Sequence, residues 1–363
     1  MRTVFFLASD LGPAAHRLGL LAAALPSDRF RAVVGVVGPP TGPTADGLRQ
    51  AGIPVHPLPV KYLFDLRGIG NLRRAIAAEN PSIVHAWGPA AVRAARHVTG
   101  SRLVVSAAAD IGGGFSGWLT ARSARRADRV IPTTWAEGSR YRQLGVPAES
   151  LTRIAPGVVP PAEAADPAAV RKELGVPPGS RLIFAGGRLD TAAGLKDAVM
   201  AFDILRYDTP DLYLVLLGTG PERQHLEDLG RALAFDDFRV RFAGDRPDLP
   251  AVLGLSEVVW ATRACDGLDL PLLAMAAGRP VVGWRVPELA EVIDHAETGR
   301  LVPPGDRAEL AAKTRVLLDE PSASRFTGDT ARLRVLDRFP LSRAVEQFAR
   351  LYEELADPGE RGA

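Results

Sequence analysis

Arg188 stands directly after two glycines in AGGRLD, where an apolar run ends. A strand that ends in Gly186 and Gly187 leaves backbone N–H groups uncovered beside a guanidinium, a combination that suits an anion. A second such end follows in VLLGTGPERQHLEDL, where Gly218 and Gly220 form a G-x-G-P turn ahead of a helical pattern. Helix N-termini entered through glycine offer unpaired N–H groups and the positive end of the helix dipole, and both favour phosphate. One such turn is common in any α/β protein, whereas several in one half of a chain point to a phosphate-bearing ligand. A third stretch, CDGLDLPLLAMAAGRPVVG (265–283), puts Asp266, Gly267 and Asp269 in a polar loop before a helix with no polar residue, closed by Gly278. Asp269 precedes Leu270 and Pro271; Asp is a preferred N-cap and Pro is favoured in the first turn, so the order predicts Asp269 as the cap.

The elements that must hold these turns are strands and helices in alternation. In the first half TVFFLAS, RAVVGVVG, IPVHPLP, SIVHAWG, RLVVSAA and RVIPTT read as strands, with helical patterns such as AAHRLGLLAAAL and GIGNLRRAIAAEN between them. Short β-branched runs separated by helices predict parallel strands with right-handed crossovers, a doubly wound α/β domain. The stretch GVVPPAEAADPAA (157–169) is poor in large side chains and reads as a linker. The alternation then restarts with RLIFAGG, LYLVLLG, VRFAG, EVVWAT and RPVVGW. The expected organisation is therefore two Rossmann-like doubly wound domains, 1–159 and 160–339, facing each other across a cleft at the C-terminal ends of their strands, where open α/β sheets bind ligands. An amphipathic helix over 340–356 closes the chain, with Val345, Phe348, Leu351 and Tyr352 on one side.

Composition narrows the function classes. The 363 residues are 47% hydrophobic and 24% charged, as in a globular protein with sizeable cores. With 44 basic against 42 acidic residues, no overall field recruits nucleic acid. The single cysteine, Cys265, rules out an internal disulfide and a cysteine-rich metal site, and fits a reducing cytoplasm. The run TVFFLA is too short for a signal-peptide core and reads as the first strand, and no 18 consecutive apolar residues suggest a membrane span. The basic run TARSARRADR could touch an anionic membrane surface, but with no large apolar residues opposite it reads rather as a solvated helix face.

In the second half GGRL, LLGTGPERQHLEDL, RFAGD, SEVVWAT, DGLDLPLLAMAAGRPVVG, AEVI and ETGRLVPPGD stand in an order that resembles the retaining GT-B glycosyltransferases called group 1. In the first half PSIVHAWGPAA, RRADRVIPTT and IAPGV are similar to the same family. The resemblance implies a GT-B fold, a nucleotide-sugar donor held mainly by the second domain, and a last helix that crosses back onto the first. It implies transfer of a hexose from a UDP- or GDP-sugar to a glycan, lipid or small-molecule acceptor, with no cofactor and no metal. Such chemistry builds negative charge on the leaving diphosphate, which cations and helix N-termini must stabilise.

On this resemblance the donor-side residues are Gly187, Arg188, Gly218, Gly220, Lys196, Gly267 and Glu291, Asp266 stands at a catalytic carboxylate position, and Gly12 and Asp110 lie on the acceptor side. Glu291 either faces the donor or is a helix N-terminal carboxylate. His85, at a strand end in IVHAWGP, is either an acceptor contact with a catalytic role or a structural histidine bonded to the backbone; His16 reads as a surface helix residue. Departures from the family pattern fall on its working positions. Its phosphate-neutralising lysine becomes Ala193, with Lys196 three residues on and more simply read as a surface lysine. Its first-domain histidine becomes Ala108, its second glutamate is lost near Leu273, and Asp269 replaces a glycine where a diphosphate should sit. Two functions follow: an active retaining hexosyltransferase, or a catalytically degenerate GT-B protein that binds a saccharide or a partner protein. An epimerase of related fold has no positive support, and no strand–turn–helix shows the clean G-x-G-x-x-G of a nicotinamide dehydrogenase.

Overall fold

Runs of Val, Ile, Leu and Phe bounded by glycine and proline turns become the strands, since side chains buried on both faces of a parallel sheet need no polar alternation. In the computed structural model, described for residues 1–12, 15–60, 65–98, 100–106, 114–161, 166–234, 237–246, 248–263 and 268–357, the chain forms two compact units. One is Met1–Gly157 with Leu341–Ala363, and the other is Val158–Pro340.

The first unit carries β1 (Arg2–Ala8), β2 (Phe30–Val36), β3 (Val55–Pro57), β4 (Ile83–Trp87), β5 (Arg102–Ser106) and β6 (Arg129–Ile131). Its helices are α1 (His16–Ala24), α2 (Pro43–Gln50), α3 (Leu66–Glu79), α4 (Pro89–Ala95), α5 (Gly114–Ala124) and α6 (Trp135–Gln143), and α15 (Leu341–Ala356) joins them. The strands pair in parallel in the order β3-β2-β1-β4-β5-β6, so the winding reverses between β1 and β4. On one face of the sheet Val345, Phe348, Leu351 and Tyr352 of α15 pack with Val4, Phe6, Val34 and Ile83. The other face is filled by Leu72 and Ile76 of α3, Val92 of α4 and Tyr141 of α6 against Phe5, Leu7 and Val84.

The second unit repeats the plan with β7 (Arg181–Gly186), β8 (Leu212–Leu217), β9 (Val240–Gly244), β10 (Val258–Ala261), β11 (Val281–Trp284) and β12 (Gly299–Val302). Its helices are α7 (Pro167–Glu173), α8 (Leu195–Arg206), α9 (Arg223–Ala234), α10 (Leu249–Leu253), α11 (Asp269–Ala276), α12 (Pro287–Ala290), α13 (Arg307–Asp319) and α14 (Pro321–Arg338). The strand order β12-β11-β10-β7-β8-β9, again all parallel, reverses between β7 and β10.

Two sequence expectations change here. The supposed linker is helical from Pro167, because the Asp166 carboxylate accepts from the amides of Ala168 and Ala169 at 3.0 Å and Pro167 opens the turn. The four-residue strand β12 (Gly299–Val302), hidden among the turn residues of TGRLVPPGD, was not expected as a strand; it pairs with β11 through Val281↔Gly299 to Trp284↔Val302.

Candidate functional site

An open parallel sheet binds ligands beyond the C-terminal ends of its strands where the winding reverses. In the second unit that point lies past β7 and β10, whose register pairs Ile183 with Val258 and Ala185 with Trp260. The residues that follow the two strands, Gly187 to Gly194 and Thr262 to Arg263, therefore lie side by side.

Gly187 has φ +126°, and a Cβ built on it would meet nothing within 4 Å, so its side-chain position faces open space; its N–H is not left uncovered, because it donates to the Leu217 carbonyl at 3.1 Å. Arg188 extends from there with 70% of its side chain exposed, its Nε 3.6 Å from an Asp190 carboxylate oxygen. The glycines of the G-x-G-P turn have a different reason to be glycine. A Cβ on Gly218 would come within 2.0 Å of the Gly187 carbonyl oxygen, and one on Gly220 within 2.2 Å of the Leu189 carbonyl oxygen. The two turns are zipped together: Leu189 N–H donates to the Thr219 carbonyl at 2.9 Å, and Glu222 N–H donates to that of Leu189 at 2.9 Å. Gly218 and Gly220 let two backbones touch, a structural demand that the reading as phosphate contacts had not included.

Asp190 caps the 3₁₀ turn Thr191–Ala193 by accepting from Ala192 N–H at 3.1 Å. Ala193, where the resemblance expects a lysine, is 1% exposed, and its carbonyl accepts from Thr262 Oγ1 at 2.8 Å. Gly194, at φ +67°, fits against the Thr262 carbonyl, which a Cβ would approach to 2.6 Å. Lys196 is exposed in the first turn of α8, and the next residue, Asp197, pairs with Arg307 at 2.7 Å.

Arg263 is the functional candidate that sequence reading missed. Its side chain is 6% exposed. Its Nη1 and Nη2 donate to the two Asp190 carboxylate oxygens at 2.8 and 3.1 Å, and Nη1 also reaches the Arg188 carbonyl at 3.3 Å. The available signal was a charged residue two positions past the end of the apolar strand in EVVWATR.

Asp266 and Gly267, with Cys265, lie outside the described residues, as do Asp110 and Ala108 of the first unit. Asp269 is described, and it is not the N-cap. Leu268 already has helical angles (φ −75°, ψ −17°), and its carbonyl accepts the first intrahelical bond, from Leu272 N–H at 3.0 Å. Asp269 is thus the first helical residue, where its charge still favours the positive end of the helix. Glu291 sits at the C-terminal cap of α12, half-buried, so its reading as a helix N-terminal carboxylate fails; Glu288, buried in the first turn, holds that place.

In the first unit Gly12 forms a closed local turn: its N–H donates to Asp10 Oδ1 at 3.0 Å and its carbonyl accepts from Thr44 Oγ1 at 3.2 Å. His16 opens α1 and is half-buried. His85 corrects the catalytic reading. It is 0% exposed, with Nδ1 2.6 Å from the Tyr352 hydroxyl and Nε2 2.8 Å from Ser106 Oγ, and Phe6, Trp87 and Phe348 surround the ring. Burial pushes its pKa from 6.5 down to about 3, so the ring stays neutral, one nitrogen donating and the other accepting. It is a core histidine held by side chains rather than by the backbone, and it clips α15 to the sheet. Beside Ser106 a cavity of about 30 Å³, bordered by Arg17, Thr133 and Phe348, has room for about one water. Among the described residues no group of three His, Cys, Asp or Glu is placed to hold a metal ion, and no helix is long and apolar enough to cross a membrane.

Two Rossmann-like domains with an arginine and close-packed glycine turns at a switch point define the GT-B class of fold. Residues 180–320 match the family described as glycosyl transferases group 1, and residues 12–157 match the glycosyl transferase 4-like domain. The chain belongs to the group 1 glycosyltransferases. It is 29% identical to N-acetyl-alpha-D-glucosaminyl L-malate synthase of Bacillus anthracis over 53% of its own length and 50% of that protein's. To alpha-D-kanosaminyltransferase of Streptomyces kanamyceticus it is 28% identical over 66% of its length and 63% of that protein's. Each match thus spans less than two thirds of the relative. In fold it is similar to HepE of Anabaena, solved in complex with UDP-glucose, with a TM-score of 0.85 at 21% identity over 98% of this chain and 100% of that one.

Proposed function

We propose that the protein transfers a hexose from a UDP- or GDP-sugar to a glycan, lipid or small-molecule acceptor with retention of configuration. The observation that carries this reading is Arg188: an exposed guanidinium beside Gly187, whose side-chain position faces open space, at the switch point of the second unit. As the sugar–phosphate bond breaks, charge grows on the leaving diphosphate, and a guanidinium placed there stabilises that charge more than the ground state. HepE, similar in fold, is a protein solved with UDP-glucose, which supports a nucleotide sugar as the donor. Retention is the outcome the family resemblance implies, and the reading uses no metal. A cytoplasmic location belongs to it, with a peripheral membrane contact through exposed Trp118 of α5 and the Arg122 guanidinium stacked over it at 5.6 Å.

A second reading, a catalytically degenerate GT-B protein that binds a saccharide or a partner protein, is favoured by Ala193, whose buried position supplies no cation. Calorimetric titration with UDP, GDP and ADP, followed by donor hydrolysis, separates the two. The transferase reading expects micromolar binding of one diphosphate that Arg188→Ala abolishes; the absence of binding by all three would leave only the second reading.

A further inference from the structure

Residues 187–194 carry one cation and one anion, Arg188 and Asp190, which cancel. An arginine facing a lone carboxylate collapses onto it and offers an incoming phosphate little charge. The pair is loose instead: Arg188 stays exposed, its Nε 3.6 Å from an Asp190 oxygen, while both carboxylate oxygens accept at 2.8 and 3.1 Å from Arg263, two residues beyond the neighbouring strand β10. The register explains the meeting. Ala185 pairs with Trp260, so Arg188 and Arg263 each stand three residues beyond paired positions on adjacent parallel strands. Thr262 fixes the alignment through its bond to the Ala193 carbonyl.

We propose that Arg263 is a positioning residue of the donor site: it occupies Asp190 so that Arg188 remains available to the diphosphate, and it restores the net positive charge that Ala193 does not supply. The inference rests on the donor-site reading above. A bidentate guanidinium–carboxylate pair is geometrically specific, so a lysine at 263 would replace the charge but not the two-pronged hold on Asp190.

The test is calorimetric titration of UDP, GDP and ADP into the full chain carrying Arg263→Gln, Arg263→Lys, or Asp190→Asn with Arg263→Gln. For the diphosphate the wild type binds, Arg263→Gln is expected to lose affinity by about tenfold, because Asp190 then recaptures Arg188. The double variant is expected to regain most of that affinity, since no carboxylate is left to draw Arg188 away. Arg263→Lys should fall between wild type and Arg263→Gln, which keeps the question answerable if the glutamine variant does not fold. Wild-type affinity in Arg263→Gln, or a double variant as weak as the single one, or a lysine variant indistinguishable from wild type, overturns the inference and leaves the donor site standing. No binding of any diphosphate by the wild type removes the donor reading and this inference with it.

Discussion

The carbonyl oxygen of Gly187 sits 2.0 Å from where a Cβ on Gly218 would be, so the turns after β7 and β8 meet backbone to backbone. Gly218 also has φ +102°, a region L side chains rarely adopt. Gly218→Ala is therefore expected to destabilise the second unit by at least about 2 kcal/mol. Urea unfolding reads the loss, and a control at Gly179→Ala, which has φ +80° but open space around it, should cost less. Equal effects would mean that backbone angle alone, and not the contact, makes Gly218 necessary.

His85 predicts a pH dependence of stability. Its folded pKa is lowered from 6.5 to about 3 by burial, so the unfolded chain takes up a proton that the folded chain refuses. Stability from this group is full above about 6.5 and falls as the pH drops toward about 3, by up to about 1.4 kcal/mol per unit. Between pH 7 and pH 5 the wild type should lose about 2 kcal/mol more than His85→Gln, measured by urea unfolding at each pH. Parallel losses in the two proteins would show that His85 does not refuse the proton.

The same cluster ties α15 to its sheet through the Tyr352 hydroxyl, 2.6 Å from His85 Nδ1. Tyr352→Phe leaves that buried nitrogen without a partner and is expected to cost about 1–3 kcal/mol. Hydrogen exchange should then rise along Leu341–Ala356 before it rises in β4; unchanged protection in α15 would show that apolar packing alone holds the helix.

In the second unit Trp260 Nε1 donates to Thr314 Oγ1 at 2.7 Å, joining β10 to α13 inside the core. Thr314→Val keeps the shape and orphans the indole N–H, with an expected cost of about 1–3 kcal/mol. A thermal shift within error of wild type would show that another acceptor is reached.

The family's second glutamate could be sought by inserting Glu after Leu273. Every residue from Leu270 to Ala276 is buried in this helix, so the inserted carboxylate and the turn it rotates meet apolar surroundings. A destabilisation of several kcal/mol is expected, about the size for an unpaired buried polar group, read as a lower melting temperature; a variant that melts with the wild type would show that the loop before α11 absorbs the extra residue.

Much of the architecture was legible in the chain by itself. Among the described residues, eleven of the twelve strands stood out as apolar runs, because parallel strands buried on both faces must be apolar throughout. Gly187 and Arg188 after β7, and the helix closed by Gly278, could be read from local residue order, since turn and cap preferences act over a few residues. The amphipathic face of α15 was equally plain. The side of the sheet that His85 faces was not, because an apolar run carries no alternation to mark it, and only the packing of α15 made it a core residue instead of an acceptor contact. The helical angles of Leu268 displaced Asp269 from the cap by one position, a shift below what residue preference resolves. Arg263 and Asp190 lie 73 residues apart in the chain. No local pattern joins them; the pairing of β7 with β10 does, and with it the tertiary structure decided which charge at the switch point is buried and held and which stays exposed.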